Sequence, residues 1–381
     1  MRSHALLSAS GAKRWLMCPP SARLEENYKD TTSSYAEEGT LAHTLAEARI
    51  RHYLLGAMDY PGFDAVWKEV NPDTEMDEMT ELYMDVIAEK FAAAKAITPD
   101  AMLLIEERLD FSHIVPEGFG TGDAIIIADG LMEVIDLKYG KGIPVYAEEN
   151  PQARLYGLGA LNKFGFLYDI KEVAMTIVQP RLDNISTEVL SVEELSDWGE
   201  NYVKPRALLA DKGEGEFCAG DHCRFCKAKA VCRARAEEAL SLARHDFATP
   251  PVLSDEEIPE ILMLLDKAEA WIKDIREYAY DKALAGTKWP GFKLVEGRSN
   301  RCYIDEEIVA EKLVAEGFEE SQIYNKKLKG ITDMEKLVGK KKFPEVLGEL
   351  VIKPPGKPTL VPESDKREEI NSAVNDFKEE M

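Results

Sequence analysis

No stretch of about 18 consecutive apolar residues occurs in these 381 residues, so the sequence offers no segment able to cross a bilayer as a helix. The opening residues, MRSHALLSASGAKRW, lack the basic-then-apolar order of a secretory leader, and the chain is expected in the cytoplasm without a membrane partner. Positive charge is also short: 47 Lys and Arg stand against 70 Asp and Glu, a net charge of −23. That balance argues against a protein that coats nucleic acid through a uniformly basic surface, because Lys and Arg at phosphates supply most non-specific affinity. It leaves room for a local basic strip, and for an enzyme whose carboxylates hold divalent cations. Long low-complexity tracts are absent, and 45% hydrophobic with 31% charged residues is ordinary for folded domains. Only six cysteines occur, yet Cys218, Cys223, Cys226 and Cys232 fall within 15 residues. In a reducing compartment such crowding points to metal ligation before disulfides.

The length suits two or three compact units. Residues 8–18 space Ala12, Trp15 and Leu16 at helical intervals until Pro19 and Pro20 stop the pattern. Amphipathic helices are predicted over 36–56 and about 74–97. After Pro99 the texture changes to MLLIEERLDFS, DAIIIAD and LMEVIDLKY, apolar and β-branched runs separated by turn signals, which predicts three meandering strands. A helix at about 150–163, a strand at 173–180 and a helix from Ser191 to about Ala210 complete an α/β core. Further on, a long helix from Glu256 to Ala285, a strand at FKLVEG and shorter helices to about 350 are expected. The proline-rich, charged end is expected to be extended or disordered. The expected divisions are 1–240, a helix-rich 250–352, and a tail at 353–381.

Chemistry concentrates in the middle of the first division. Asp136 and Lys138 are two apart on a strand and so share a face, and Asp123 on the preceding strand can lie beside them. Two carboxylates a few ångströms apart can bind Mg²⁺ or Mn²⁺, and a lysine there can orient or deprotonate water. Alternating Asp and Lys is also common on any exposed strand edge. Here, however, both aspartates abut apolar runs, where an ionised carboxylate is costly unless paired or metal-bound.

In chain order the sequence carries GTLAH ending at His43, Glu106 in LLIEERLDF, GTGD ending at Asp123, VIDLKYGKG around Asp136 and Lys138, and NPQARLY from Asn150 to Tyr156. This series resembles the RecB-like nucleases of the PD-(D/E)XK class, which include the CRISPR-adaptation and AddB-type nucleases and a phage- and prophage-encoded group. The resemblance covers roughly residues 5–235. It implies an α/β, restriction-endonuclease-like core, a central mixed sheet flanked by helices, here with a helix-rich C-terminal extension. It implies metal ligation by His43, Asp123, Asp136 and the Leu137 backbone carbonyl, catalysis by Lys138, and packing of Gln152 and Tyr156 near the active site and the DNA backbone. Glu106 matches an acidic residue upstream of the metal aspartate.

Cys223-x2-Cys226-x5-Cys232 could bind zinc with Cys218 as a fourth ligand. The resembling nucleases with a [4Fe–4S] cluster instead place one cysteine before the GxxxH element, where Cys18 stands, and three after the core at this spacing. On that reading Cys18, Cys223, Cys226 and Cys232 hold the cluster and Cys218 is spare, whereas Cys302 is a small buried hydrophobe.

The expected activity is metal-dependent exonucleolytic hydrolysis of DNA, on duplex ends or single strands, in phage recombination, repair or end processing, with a recombination or helicase protein as partner. A catalytically silent DNA-binding or assembly protein of the same fold, and a zinc-binding interaction module, are the rival readings. Lys326, Lys327, Lys329, Lys340, Lys341 and Lys342 form either a DNA contact or a solvated face.

Overall fold

The computed structural model describes residues 5–28, 34–56, 62–240, 258–295, 306–315, 319, 323–324, 329–339, 342–347 and 350–351. The chain divides into two compact units, Met1–Asp281 and Lys282–Met381. Cys302, Lys326, Lys327, Lys340, Lys341 and the 353–381 tail lie outside the described residues.

The first unit opens with α1 (Ala12–Met17) and α2 (Ser21–Glu25), separated by Cys18 and the two prolines. Then follow α3 (Ser34–Tyr53), α4 (Phe63–Val70) and α5 (Thr74–Ile97). The sheet comprises β1 (Met102–Asp110), β2 (Phe119–Ala128), β3 (Leu131–Leu137), β4 (Glu172–Gln179) and β5 (Asn184–Ser191), in that spatial order. The meander β1–β2–β3 is antiparallel, β3 and β4 are parallel, and β4 and β5 are antiparallel. The parallel step needs a crossover, and α6 (Pro151–Phe164) supplies it. This is a mixed α/β fold, a five-stranded mixed sheet flanked by helices.

The apolar run of β2, Ala124–Ala128, and the mostly apolar β3 follow from burial on both faces. Ile125, Ile127 and Val134 enter one core with residues of α1 and α6, while Ala124, Ile126, Ile135 and Leu137 enter another with Ile50 of α3 and Tyr83 and Ile87 of α5. Helix α6 lies close because its sequence is small where it touches strands: a Cβ at Gly159 would stand 2.9 Å from Leu109 Cβ. Its start is set by Asn150, whose side chain accepts the backbone N–H groups of Gln152 and Ala153, with Pro151 in the first turn.

Several expectations need correction. Helix α4 was not foreseen; its eight residues end at Asn71, which adopts a left-handed φ of 48°. Strand β5 was missed because NISTEVLS alternates polar residues on an edge strand. The expected 191–210 helix is three pieces: α7 (Val192–Asp197), a π-helical turn (Trp198–Val203) and α8 (Lys204–Lys212). Phe292–Val295, of the expected FKLVEG strand, form no strand.

After α8 come a 3-10 turn (Asp221–Phe225), α9 (Arg233–Ala239) and α10 (Ile258–Leu284). The division between units falls inside α10 rather than near 240–250. The second unit holds α11 (Glu306–Ala315), α12 (Ile331–Val338) and α13 (Phe343–Leu347). No described helix is long and apolar enough to cross a membrane.

Arg154 of α6 clamps β5 through a bidentate pair with Glu188, Nε donating to Oε2 at 2.8 Å, with both side chains largely buried. Burial would raise the Glu188 carboxyl, but hydrogen bonds from Arg154 and the Glu149 N–H together hold it below its ordinary value. A carboxyl so depressed stabilises the fold at neutral pH and loses that contribution as pH falls through the carboxylate range. Glu188→Gln should therefore cost about 1–3 kcal/mol at pH 7 in urea denaturation, and the gap to wild type should narrow in acid.

Candidate active site

The site grows from a break in the sheet. Ile105 pairs with Ala124 and Glu107 with Gly122, but no ladder pair joins Glu106 to Asp123, which the same register sets opposite each other. On β1, Leu103 and Ile105 face the α3/α5 core, yet Leu109 enters the α1/α6 core. Strict alternation would keep all three on one face, so the strand inverts near Glu106. Glu106 absorbs the inversion in a left-handed backbone, φ 55°, a strained conformation for a non-glycine residue. The β2–β3 register, pairing Ala124 with Ile135, extended by one step sets Asp123 opposite Asp136. Three acidic residues thus form a row across three strands. Asp123 is fixed further by accepting the Leu137 backbone N–H through Oδ2 at 2.8 Å.

Helix α3 brings His43 to this row, its Nδ1 3.4 Å from Asp123 Oδ2. Donor atoms of His43, Glu106 and Asp123 all lie within 4.8 Å of one another, a spacing that suits a metal ion. Burial would lower the imidazole's pKa, but Asp123 chiefly, with Asp136 behind it, raises it to about 9. Burial and then Asp123 and Glu47 push the Glu106 carboxyl up to about 7. Arg51, two turns along α3 from His43, donates to the Ile105 carbonyl at 3.0 Å and to Glu47 at 2.8 Å, bracing the strained residue's neighbour.

Asp136 stands apart from that tight group. It is 3% exposed, and burial pushes its carboxyl up against the opposing pull of Lys138. Lys138 Nζ lies 2.7 Å from Asp136 Oδ2 in an ion pair, and that buried oxygen has no other hydrogen-bond partner. Gln152 connects the pair: its Oε1 accepts from Lys138 Nζ at 3.0 Å, and its Nε2 donates to Asp136 Oδ1 and to the Tyr156 hydroxyl, both at 3.3 Å. Gln152 and Tyr156 are thus turned inward onto the aspartate–lysine pair. Tyr156 is 8% exposed, and its ring fills space left by Gly120, where a Cβ would stand 2.6 Å from the ring.

The sequence-predicted residues His43, Glu106, Asp123, Asp136, Lys138, Gln152 and Tyr156 are therefore gathered at one place. The Leu137 group seen at work is its N–H rather than the expected carbonyl. Sequence reading missed the residues that hold the frame. Gln179, 1% exposed, grips the loop after Lys138 by donating to the Gly140 and Ile143 carbonyls and accepting the Val145 N–H. Arg181 pairs with Glu38 and Glu75, and its guanidinium lies 4.6 Å from the Tyr139 ring centre. Tyr83 donates to the Ile135 carbonyl at 3.3 Å. The only signal for Gln179 and Arg181 was a polar pair closing an otherwise apolar strand.

The cysteine segment meets the N-terminus. The Cys218 N–H points at Cys18 Sγ at 3.5 Å, and the His222 ring contacts the Cys218 carbonyl at 2.9 Å. Cys18, Cys223 and Cys226 are buried, Cys232 is half-buried and Cys218 is exposed; all five are free thiols. Burial pushes the Cys226 thiol up to about 11. Glu25 of α2 ties the two segments together, accepting the Lys227 N–H at 2.7 Å and pairing with Arg14.

A family model described as "Protein of unknown function (DUF2800)" matches residues 4–368. The solved crystal structure of SSO0001 aligns over 58% of this chain and 96% of its own at 14% identity, with a TM-score of 0.22.

Gly120 yields a direct packing test. Gly120→Ala should cost about 1–3 kcal/mol in denaturant unfolding, since the new methyl collides with the Tyr156 ring. In a Tyr156→Ala background most of that cost should vanish; an equal cost in both backgrounds would contradict the contact.

Proposed function

This chain belongs to the DUF2800 family, and we propose that it is a divalent-metal-dependent deoxyribonuclease of the RecB-like PD-(D/E)XK kind, acting on DNA ends or single strands. The observation that carries this reading is the carboxylate row of Glu106, Asp123 and Asp136, with His43 at one end and a glutamine-held lysine at the other.

The residues suit a hard cation such as Mg²⁺ or Mn²⁺: oxygen donors dominate, one imidazole joins them, and a buried carboxylate oxygen has no hydrogen-bond partner other than Lys138. His43, Asp123 and Asp136 would hold the ion, with Glu106 close by and the Leu137 carbonyl as a further expected oxygen donor. When bound, it would polarise the phosphoryl group and make a nearby water more acidic. Lys138, as an ammonium, would orient the attacking water and screen the phosphate charge. Gln152 limits where the ammonium can go, since Oε1 accepts from it while Nε2 is committed to Asp136 and Tyr156. Catalytic geometry therefore depends on the pitch of α6 against β3.

The cysteines are read as ligands of a [4Fe–4S] cluster held by Cys18, Cys223, Cys226 and Cys232, with Zn²⁺ as the competing occupant. Supporting this, Cys18 lies beside a segment 200 residues away, and the three most buried thiols belong to the proposed set. A cluster that joins both ends of the nuclease region would act as a clasp.

Two outcomes test these assignments. Asp136→Ala and Lys138→Ala should each remain folded and lose on the order of 10²-fold or more of Mn²⁺-dependent cleavage of end-labelled DNA. Full activity in either variant would place the chemistry elsewhere. Anaerobically purified protein should contain iron and sulfide and absorb broadly in the visible, and Cys18→Ser should lower all three while Cys218→Ser changes little. Stoichiometric zinc without sulfide, lost in Cys218→Ser and kept in Cys18→Ser, would assign the site to zinc.

A further inference from the structure

Between His222 and Arg235 the chain carries five basic residues, Arg224, Lys227, Lys229, Arg233 and Arg235, and no acidic one, in a protein of net charge −23. Lys229 and Arg235 both pair with Asp274 of α10. Arg224, Lys227 and Arg233 are exposed. At the end of the 3-10 turn, Phe225 is 74% exposed, with the Arg224 guanidinium 6.0 Å from its centre.

We propose that this turn is a contact surface for single-stranded DNA, in which Arg224 and Arg233 meet phosphates and Phe225 stacks on an unpaired base. Charge complementarity selects a polyanion. The solvated ring between cations selects one with exposed aromatic faces, since base stacking on a phenyl ring needs no particular sequence, and this excludes a smooth anionic surface. The choice of DNA rests on the nuclease reading; the strip itself does not involve the carboxylate row.

The test measures fluorescence anisotropy of a labelled oligothymidylate with the full-length protein in EDTA, so that cleavage cannot interfere, across a salt series. Phe225→Ala should weaken binding about tenfold with the salt slope unchanged, and Phe225→Tyr should restore it. Arg224→Glu with Arg233→Glu should flatten the slope of log affinity against log salt by about 1.4, roughly 0.7 per single-strand phosphate contact, while the double lysine variant keeps it. Far-UV circular dichroism checks that each variant is folded. Folded variants that bind like wild type overturn the proposal, and the strip then serves a different anion. A parallel Mn²⁺ digestion by wild type separates the two readings: cleavage with unaltered binding in the variants sinks only the surface, whereas neither cleavage nor binding by wild type sinks both.

Discussion

An ionised carboxylate held almost out of water must be compensated, and Asp136, 3% exposed in the middle of a sheet covered on both faces, is the group around which the first unit is arranged. Lys138 offsets its charge from the same strand face, and Gln152 satisfies its other oxygen from α6. Asp123 adds its negative charge from the neighbouring strand, against which His43 and Lys138 both act. Stability alone does not call for such a group, because a well-packed apolar residue would stabilise the same position more simply.

The rest of the architecture fixes the distances at that group. Burial on both faces makes β2 and β3 largely apolar, and Glu133, buried in the middle of β3, is held there by Lys90 and by the Thr176 hydroxyl. The helices then meet the site as rigid levers: α3 delivers His43 and braces β1 through Arg51, and α6 delivers Gln152 four residues before Tyr156. Gln179 and Arg181, at the end of β4, hold the loop after Lys138 and tie α3 and α5 to it. A shift in any of these would be felt at the lysine.

Much of this was legible in the sequence for identifiable reasons. The three-strand meander announced itself through apolar runs broken by Gly and Asp, and α6 through Asn150-Pro151 followed by Gln152 and Tyr156 at one-turn spacing. The Asp136–Lys138 alternation identified the site face. Strand β5 escaped because edge strands need not be apolar, and α4 because its eight residues make only about two turns. The position of Glu106 within the tight group could not be read, since it depends on a backbone inversion that leaves no mark in residue types. Gln179 and Arg181 left only a faint signal for a related reason: the loop and helix groups they hold lie 34 or more residues away in sequence, and only the fold brings them together.

Asp136 is held by Lys138 and Gln152 where a cation would compete for it. Anomalous diffraction from crystals grown with Mn²⁺ measures that competition most directly. The account predicts one strong manganese peak ligated by His43, Asp123 and Asp136, with Lys138 displaced from Asp136 toward solvent. A manganese ion absent from this row, or one that leaves the Asp136–Lys138 contact intact, would contradict it.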